Sequence, residues 1–344
     1  GVLSVPMVAL LLPLVLAATC AFAFLNGFRD VSNSVAAAVR TRSLTPTAAV
    51  LAAAFFTFTG TMLSTSFGTY LVSAVELNVP DGALGLGILL AALLAAGGWG
   101  LYCWWRGVPT SSTHAVISAL AGASGASALL GGDGVRGAAT MLLLGVALPL
   151  LVTPLLAYGV SYLLVFPATW LLRHSTSGDG NRIGRAGQAI SACAVSLGHG
   201  LQDGQRTGAL ITLALVTAHA TAPGEIPFWA QLTGAAFLAA GTLGGGWRIA
   251  HTLAYRLVTI DPLRGMTAQT VSASMLFVGA MLLHLPLSTT QAVTGAIVGS
   301  GANQRFETVM WRNVLAVVTY WIAAPVVCAV LAGVLFLSLH PLLV

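Results

Sequence analysis

Apolar runs of twenty residues or more follow one another along almost the whole chain, with hardly a charge inside them. A helix needs about 20 consecutive apolar residues to cross the hydrocarbon core of a bilayer. Inside that core, only segments that satisfy their own backbone hydrogen bonds persist. Charged residues make up 7% of the 344 positions and hydrophobic ones 57%, whereas soluble domains carry roughly 25% charge. So few charges cannot clothe a soluble surface of this size. The chain reads as an all-α polytopic membrane protein.

By this rule crossings are expected near 5–40, 46–73, 84–106, 112–131 and 138–171, then near 187–219, 226–246, 266–285, 288–303 and 313–340. With re-entrant pieces added, the total is about ten to twelve membrane segments. The first run lacks a basic n-region and a cleavage site, so it is expected to be a membrane segment rather than a signal peptide. The polar stretch 173–186 is rich in Gly, Ser and charge. It divides the chain into a first unit (1–172), a linker (173–186) and a second unit (187–344). Residues 247–264 are expected to form an amphipathic helix on the inner surface. Pro149, Pro154 and Pro167 predict kinks, and Trp99, Trp104 and Trp105 predict interfacial anchoring or packing.

Every cation among the fourteen Lys and Arg is Arg, and the net charge is +5. Nucleic-acid binding is set aside, because the Arg lie dispersed between apolar runs and topology accounts for them. With the N-terminus outside, Arg40, Arg42, Arg106, Arg173, Arg182, Arg185, Arg248, Arg256, Arg264, Arg305 and Arg312 all fall inside. Arg136 alone falls outside, as do Glu76, Asp81, Asp133 and Glu225. The linker is then cytoplasmic. Cys20, Cys103, Cys193 and Cys328 lie far apart without metal-ligand spacing and are expected to be buried, inert thiols. Neither a metal centre nor a resident cofactor is implied.

Each unit holds five expected crossings, an odd number, so the second starts on the opposite side from the first. The motifs repeat as well. Asn26-Gly27-Phe28-Arg29-Asp30 echoes His199-Gly200-Leu201-Gln202-Asp203. Pro109-Thr110-Ser111-Ser112-Thr113-His114 echoes Pro286-Leu287-Ser288-Thr289-Thr290-Gln291. Asp30 precedes Thr113 by 83 residues and Asp203 precedes Thr290 by 87. Two motif pairs in one order at nearly one spacing indicate duplication. Inverted repeats of this kind belong to secondary transporters, whose substrate sites lie at the repeat interface.

Segment 5–40 would be about 54 Å long as a helix, against a core of about 30 Å. Segment 187–219 shows a similar excess. Both carry Gly-x-x-Asp internally, where a helix is expected to unwind and line a cavity. Asp30 and Asp203 are the carboxylates placed inside the membrane, where an ionisable group costs at least ~2.5–3.5 kcal/mol on insertion scales. An ion pathway explains that cost. The competing reading is structural, with Asp30 neutralising Arg29 and Asp203 neutralising Arg206. The paired Ser/Thr clusters each precede an apolar run and supply N-caps. Two inverted helix tips, with free amides, dipole ends and hydroxyls, suit a tetrahedral oxyanion. Ordinary capping of two buried helices is the alternative. His114 is expected to be a hydrogen-bonded structural group, with proton relay as the alternative.

The strings LNGFRDVSNSVAAAV, PTSSTHAVISALAGA, SLGHGLQDGQRTGALITLAL, GGWRIAHTL and PLSTTQAVTGAIVGSGANQRF resemble the inorganic phosphate transporter (Pit) family, bacterial branch. The likeness spans nearly the whole chain. It implies an inverted-repeat transporter with broken helices and re-entrant hairpins, often a homodimer, in the bacterial inner membrane. The implied activity is import of inorganic phosphate by symport with protons or sodium; some relatives carry metal–phosphate complexes or sulfate. Carried onto this chain, Asp30, Asn26 and Asn33 match the first signature and Asp203, Gln205 and Thr207 the second. Ser111, Ser112 and Thr113 match one substrate hairpin, and Ser288, Thr289 and Thr290 the other. Arg29 and Gln202 stand where the family usually has Asn, Gln269 where Glu is common, and Gln291 where His is common. Loss of those oxygen donors favours proton coupling over a full sodium cycle. Sulfate permeation is the rival within transport. A passive channel, or an intramembrane hydrolase using Ser112 and His114, are the rivals from other classes.

Overall fold

The computed structural model describes residues 4–67, 79–132, 138–222, 226–283, 285, 287–304 and 308–343. Glu76, Asp133, Arg136, Glu225, Pro286 and Arg305, which enter the expected topology, lie outside the described residues. Among the described residues the regular structure is helical, apart from one isolated antiparallel bridge between Val258 and Val309.

The first half comprises α1 (Ser4–Arg40), α2 (Pro46–Leu63), α3 (Ala83–Arg106), α4 (Ser112–Leu129) and α5. The last runs through Ala138–Leu142, a π-helical turn Leu143–Ala147, and Leu148–Leu171. The second half comprises α6 (Ser177–Thr217), α7 (Phe228–Gly244), the short α8 (Trp247–His251, continued by the π turn Thr252–Arg256), α9 (Pro262–Val278), α10 (Thr289–Ala302) and α11 (Trp311–Leu343). Among the described residues six helices are long and apolar enough to cross a membrane: Pro6–Arg40, Pro46–Leu63, Ala83–Arg106, Leu143–Leu171, Pro262–Leu283 and Trp311–Leu343. The crossings expected at 112–131, 187–219, 226–246 and 288–303 are not among these six. α10 has 14 residues, roughly 21 Å of helix, which falls short of a core of about 30 Å.

Two further expectations are corrected. Helical structure runs unbroken through Gly27 in α1 and through Gly200 and Gly204 in α6, so neither long helix unwinds at its Gly-x-x-Asp motif. The glycines serve close packing instead. A Cβ on Gly27 would lie 2.0 Å from the Leu238 carbonyl oxygen, and one on Gly200 would lie 2.2 Å from that of Thr57. The second correction concerns the linker. Helix α6 begins at Ser177, so most of 173–186 is its exposed first turns. Thr176 caps it by accepting from the Asp179 amide at 3.1 Å, with the Asp179 carboxylate at the positive end of the helix.

The pairing of helices repeats between the halves. α1 packs on α7 while α6 packs on α2; α4 packs on α11 while α10 packs on α5. Each crossing is made where a glycine lets two backbones meet. Gly122 of α4 faces the Ala329 carbonyl, and Gly299 of α10 faces that of Tyr158. Each tip helix is thus gripped by the last helix of the other half. The amphipathic helix expected over 247–264 is shorter: it ends at Arg256, and Pro262–Arg264 open α9; within 247–256, Ile249, Ala250, Leu253 and Ala254 are buried and Arg248, Tyr255 and Arg256 exposed. In α5 the π turn immediately precedes Pro149, one identifiable cause of a bend. Trp99 is buried, Trp104 packs on Phe28 with ring centroids 5.3 Å apart, and Trp105 is exposed. Of the cysteines, Cys103 and Cys328 are buried, whereas Cys20 and Cys193 are half-buried.

Candidate anion and coupling site

Two helix tips meet the middles of the two long helices. Ser111 and Ser288 are the N-caps of α4 and α10, with nearly equal backbone angles (φ −81°, ψ 120° and φ −82°, ψ 115°). Each accepts from the amide three residues on, His114 at 3.2 Å and Gln291 at 3.3 Å. These two hydroxyls are therefore committed to capping. The amides of Ser112, Thr113, Thr289 and Thr290 have no partner within their own helices. All four of these residues are buried.

The contacts of the tips obey the duplication. Ser112 donates to the Asn26 side-chain oxygen, and Thr289 lies 3.5 Å from His199 Nδ1. Asn26 and His199 are the matching residues of the two motifs. Asn33 donates to Thr290 Oγ1 at 3.2 Å, and Arg206 Nη1 donates to Thr113 Oγ1 at 2.6 Å. Arg29 Nη2 donates to the Thr110 carbonyl at 2.9 Å, and Gln202 Oε1 accepts from the Leu287 amide at 3.3 Å. His114 and Gln291, again matching positions, face one another at 3.4 Å. The two tips meet at that pair.

Asp30 and Asp203 sit between the tips. Asp203 Oδ2 accepts from the Asn26 amide and lies 3.2 Å from His199 Nδ1 and 3.1 Å from Arg206 Nη2. Asp30 lies 3.8 Å from Arg29 Nη2 and 3.5 Å from Ser112 Oγ. The ligand-bearing atoms of Asp30, His199 and Asp203 fall within 4.8 Å of one another. That group is the candidate cation site among the described residues. Hard cations seek shells of oxygen ligands, and here three side-chain nitrogens crowd one oxygen of Asp203. The arrangement suits a proton better than a metal ion. Both structural ion pairs expected from the sequence are present; Asp30 also contacts Ser112 directly, whereas Asp203 is linked to the tips through Asn26, Arg206 and His199.

Several candidate residues point elsewhere. Gln205 donates to the Ser64 carbonyl at 3.2 Å, and Thr207 to the Asp203 carbonyl of its own helix at 3.0 Å. Gln202 also donates to the Leu276 carbonyl at 3.2 Å, and Gln269 to the Ser34 carbonyl at 2.7 Å. The structure adds Thr110, His199 and Arg206 to the cluster. His199 already stands opposite Asn26 in the aligned motifs, and extending that alignment by three residues sets Arg206 opposite Asn33. The hydrolase reading fails on geometry. Ser112 bonds Asn26 while His114 faces Gln291, so no nucleophile–base pair forms between them.

A model of the phosphate transporter family matches residues 26–184 and again 173–332. The chain belongs to the phosphate transporter family. Among relatives, a probable low-affinity inorganic phosphate transporter of Bacillus subtilis is 32% identical over 330 residues, covering 95% of this chain and 96% of its own length. One from Rhizobium meliloti, of the same description, is 34% identical over 319 residues, with 92% and 93% covered. A solved structure described as the sodium-dependent phosphate transporter shares the fold with a TM-score of 0.70 at 20% identity, covering 96% of this chain and 99% of that one. As a member of the phosphate transporter family the chain is a multi-pass membrane protein and not an enzyme.

Proposed function

We propose that this chain imports inorganic phosphate across the bacterial cell membrane in symport with protons. The observation that carries the reading is the paired ring of contacts joining both Ser/Thr tips to Asp30 and Asp203. Two helix N-termini, four buried hydroxyls and two guanidinium groups converge on one region, the composition an oxyanion requires. The names of the full-length relatives supply phosphate as the substrate. Protons are favoured over sodium by the nitrogen-rich surroundings of Asp203 and by Arg29 beside Asp30. Asn26 uses both ends of its amide, donating to Asp203 and accepting from Ser112, which leaves one lone pair of its oxygen for any cation. The Arg distribution supports an external N-terminus and a cytoplasmic 173–186. A homodimer is part of the same reading.

Uptake of labelled phosphate into proteoliposomes under imposed proton or sodium gradients tests it, with sulfate and arsenate as competitors. Proton-driven uptake that arsenate inhibits more strongly than sulfate is the expected result. Sulfate uptake in place of phosphate, or leak without counterflow, would overturn the substrate or the carrier assignment respectively.

A further inference from the structure

We propose that Arg206 is the cation that receives the substrate oxyanion, and that a proton on Asp203 releases it for that role. The proposal rests on the phosphate-transport reading and names a ligand within it. Arg206 is 5% exposed. Its Nη1 holds Thr113, its Nη2 lies 3.1 Å from Asp203 without hydrogen-bonding geometry, and its Nε has no partner. Nε and Nη2 form one edge of the guanidinium plane, the edge that grips two oxygens of a phosphate side-on. A buried edge left without hydrogen bonds is costly. Arg29 also has an Nε without a partner, but the other atom of that edge is engaged. Its Nη2 holds Thr110, its Nη1 leans on Ser112 at 3.5 Å, and it is packed against Gly100.

The duplication sharpens the argument. In the first half the position of Arg206 is held by Asn33, whose neutral amide makes the matching contact to Thr290. The contact to a tip hydroxyl therefore needs no charge, and the charge on Arg206 calls for a separate explanation. Charge balance gives one. Arg29 and Arg206 face Asp30 and Asp203, so the region is neutral with both carboxylates ionised and His199 and His114 uncharged. An added anion would leave uncompensated charge in a buried site, which the interior strongly disfavours.

A proton taken from the aqueous phase onto Asp203 removes one carboxylate charge. The oxyanion then replaces that carboxylate on the Nε–Nη2 edge, while Nη1 keeps its place on Thr113. One proton enters with each anion, and loss of that proton on the far side restores the Asp203–Arg206 pair and expels the anion. The groups that face this exchange are Asn26, Arg29 and Asp30 from α1, His199 from α6 and Thr113 from α4. The Phe22 ring of α1 lies beneath the guanidinium at 5.6 Å.

Equilibrium binding of labelled inorganic phosphate to the purified full chain across pH tests the exchange, with proteoliposome uptake in parallel. Arg206→Gln should weaken binding about 10- to 150-fold, the range for a lost charged hydrogen-bonding partner. Asp203→Asn, which mimics the protonated acid, should bind at alkaline pH at least as tightly as wild type, with a flattened pH profile, yet lose proton-driven uptake. Should Arg206→Gln leave Asp203 buried alone and unfold the protein, the double variant Asp203→Asn/Arg206→Gln removes both charges and should bind as weakly as expected for the single one. Wild-type affinity in an Arg206 variant overturns the proposal. So does an Asp203→Asn variant that is folded but as weak as Arg206→Gln. If wild type binds none of phosphate, arsenate or sulfate, the substrate reading falls first and this proposal with it.

Discussion

Replacing the tip hydroxyls one at a time should separate residues that hold the helices from residues that hold the anion. Ser111 and Ser288 spend their hydroxyls on the amides of His114 and Gln291 at 3.2 and 3.3 Å. Ser111→Ala and Ser288→Ala should each cost about 1 kcal/mol of stability as a lost cap, read as a lower midpoint of thermal unfolding. Ser112 and Thr289 instead face Asn26 and His199, with Ser112 also 3.5 Å from Asp30. Ser112→Ala and Thr289→Ala should leave the fold intact and weaken phosphate binding by about 1–3 kcal/mol, roughly 5- to 150-fold. Neighbouring hydroxyls can mask a single loss, so replacing all three residues of either tip is the stronger perturbation. Equilibrium binding of labelled phosphate in detergent, alongside thermal unfolding, reads both effects. A folded triple variant with wild-type affinity would refute the twin-tip reasoning and leave the anion to the guanidinium groups alone.

Asp30→Asn and Asp203→Asn should each abolish gradient-driven uptake in proteoliposomes without unfolding; near-normal driven uptake in either variant would make that carboxylate structural. Exchanging sodium for choline at fixed pH should change the uptake rate little, and a large saturable sodium requirement would overturn proton coupling. Gly60→Ala would set a Cβ 2.2 Å from the Leu197 carbonyl oxygen, whereas one on Gly159 meets nothing within 4 Å. Thermal unfolding should therefore show Gly60→Ala destabilised by about 1–3 kcal/mol, as expected for overpacking, and Gly159→Ala near wild type; equal behaviour of the two would contradict the α2–α6 crossing.

The amino-acid sequence by itself determined the membrane class, because scarcity of charge and the length of apolar runs are local quantities. It also determined the duplication, since the two motif pairs recur in order, and the start of each tip helix, since Ser before an apolar run caps it wherever it lies. The ends of most helices fall within a few residues of the apolar boundaries. The helical start inside 173–186 is not legible in its Gly, Ser and charge content; the Thr176 cap and the Asp179 carboxylate set it. The glycines of the two long helices were ambiguous for a physical reason. Absence of a Cβ permits unwinding and close packing equally, and only the neighbouring Leu238 and Thr57 carbonyls decide for packing. The same holds for the site. Asn33 meets Thr290, 257 positions away, and Arg206 meets Thr113, 93 positions away. No periodicity in the chain encodes such pairings. They exist because each tip helix is gripped by the last helix of the opposite half, a choice made by tertiary packing, which sets Asp30 and Asp203 between the two tips.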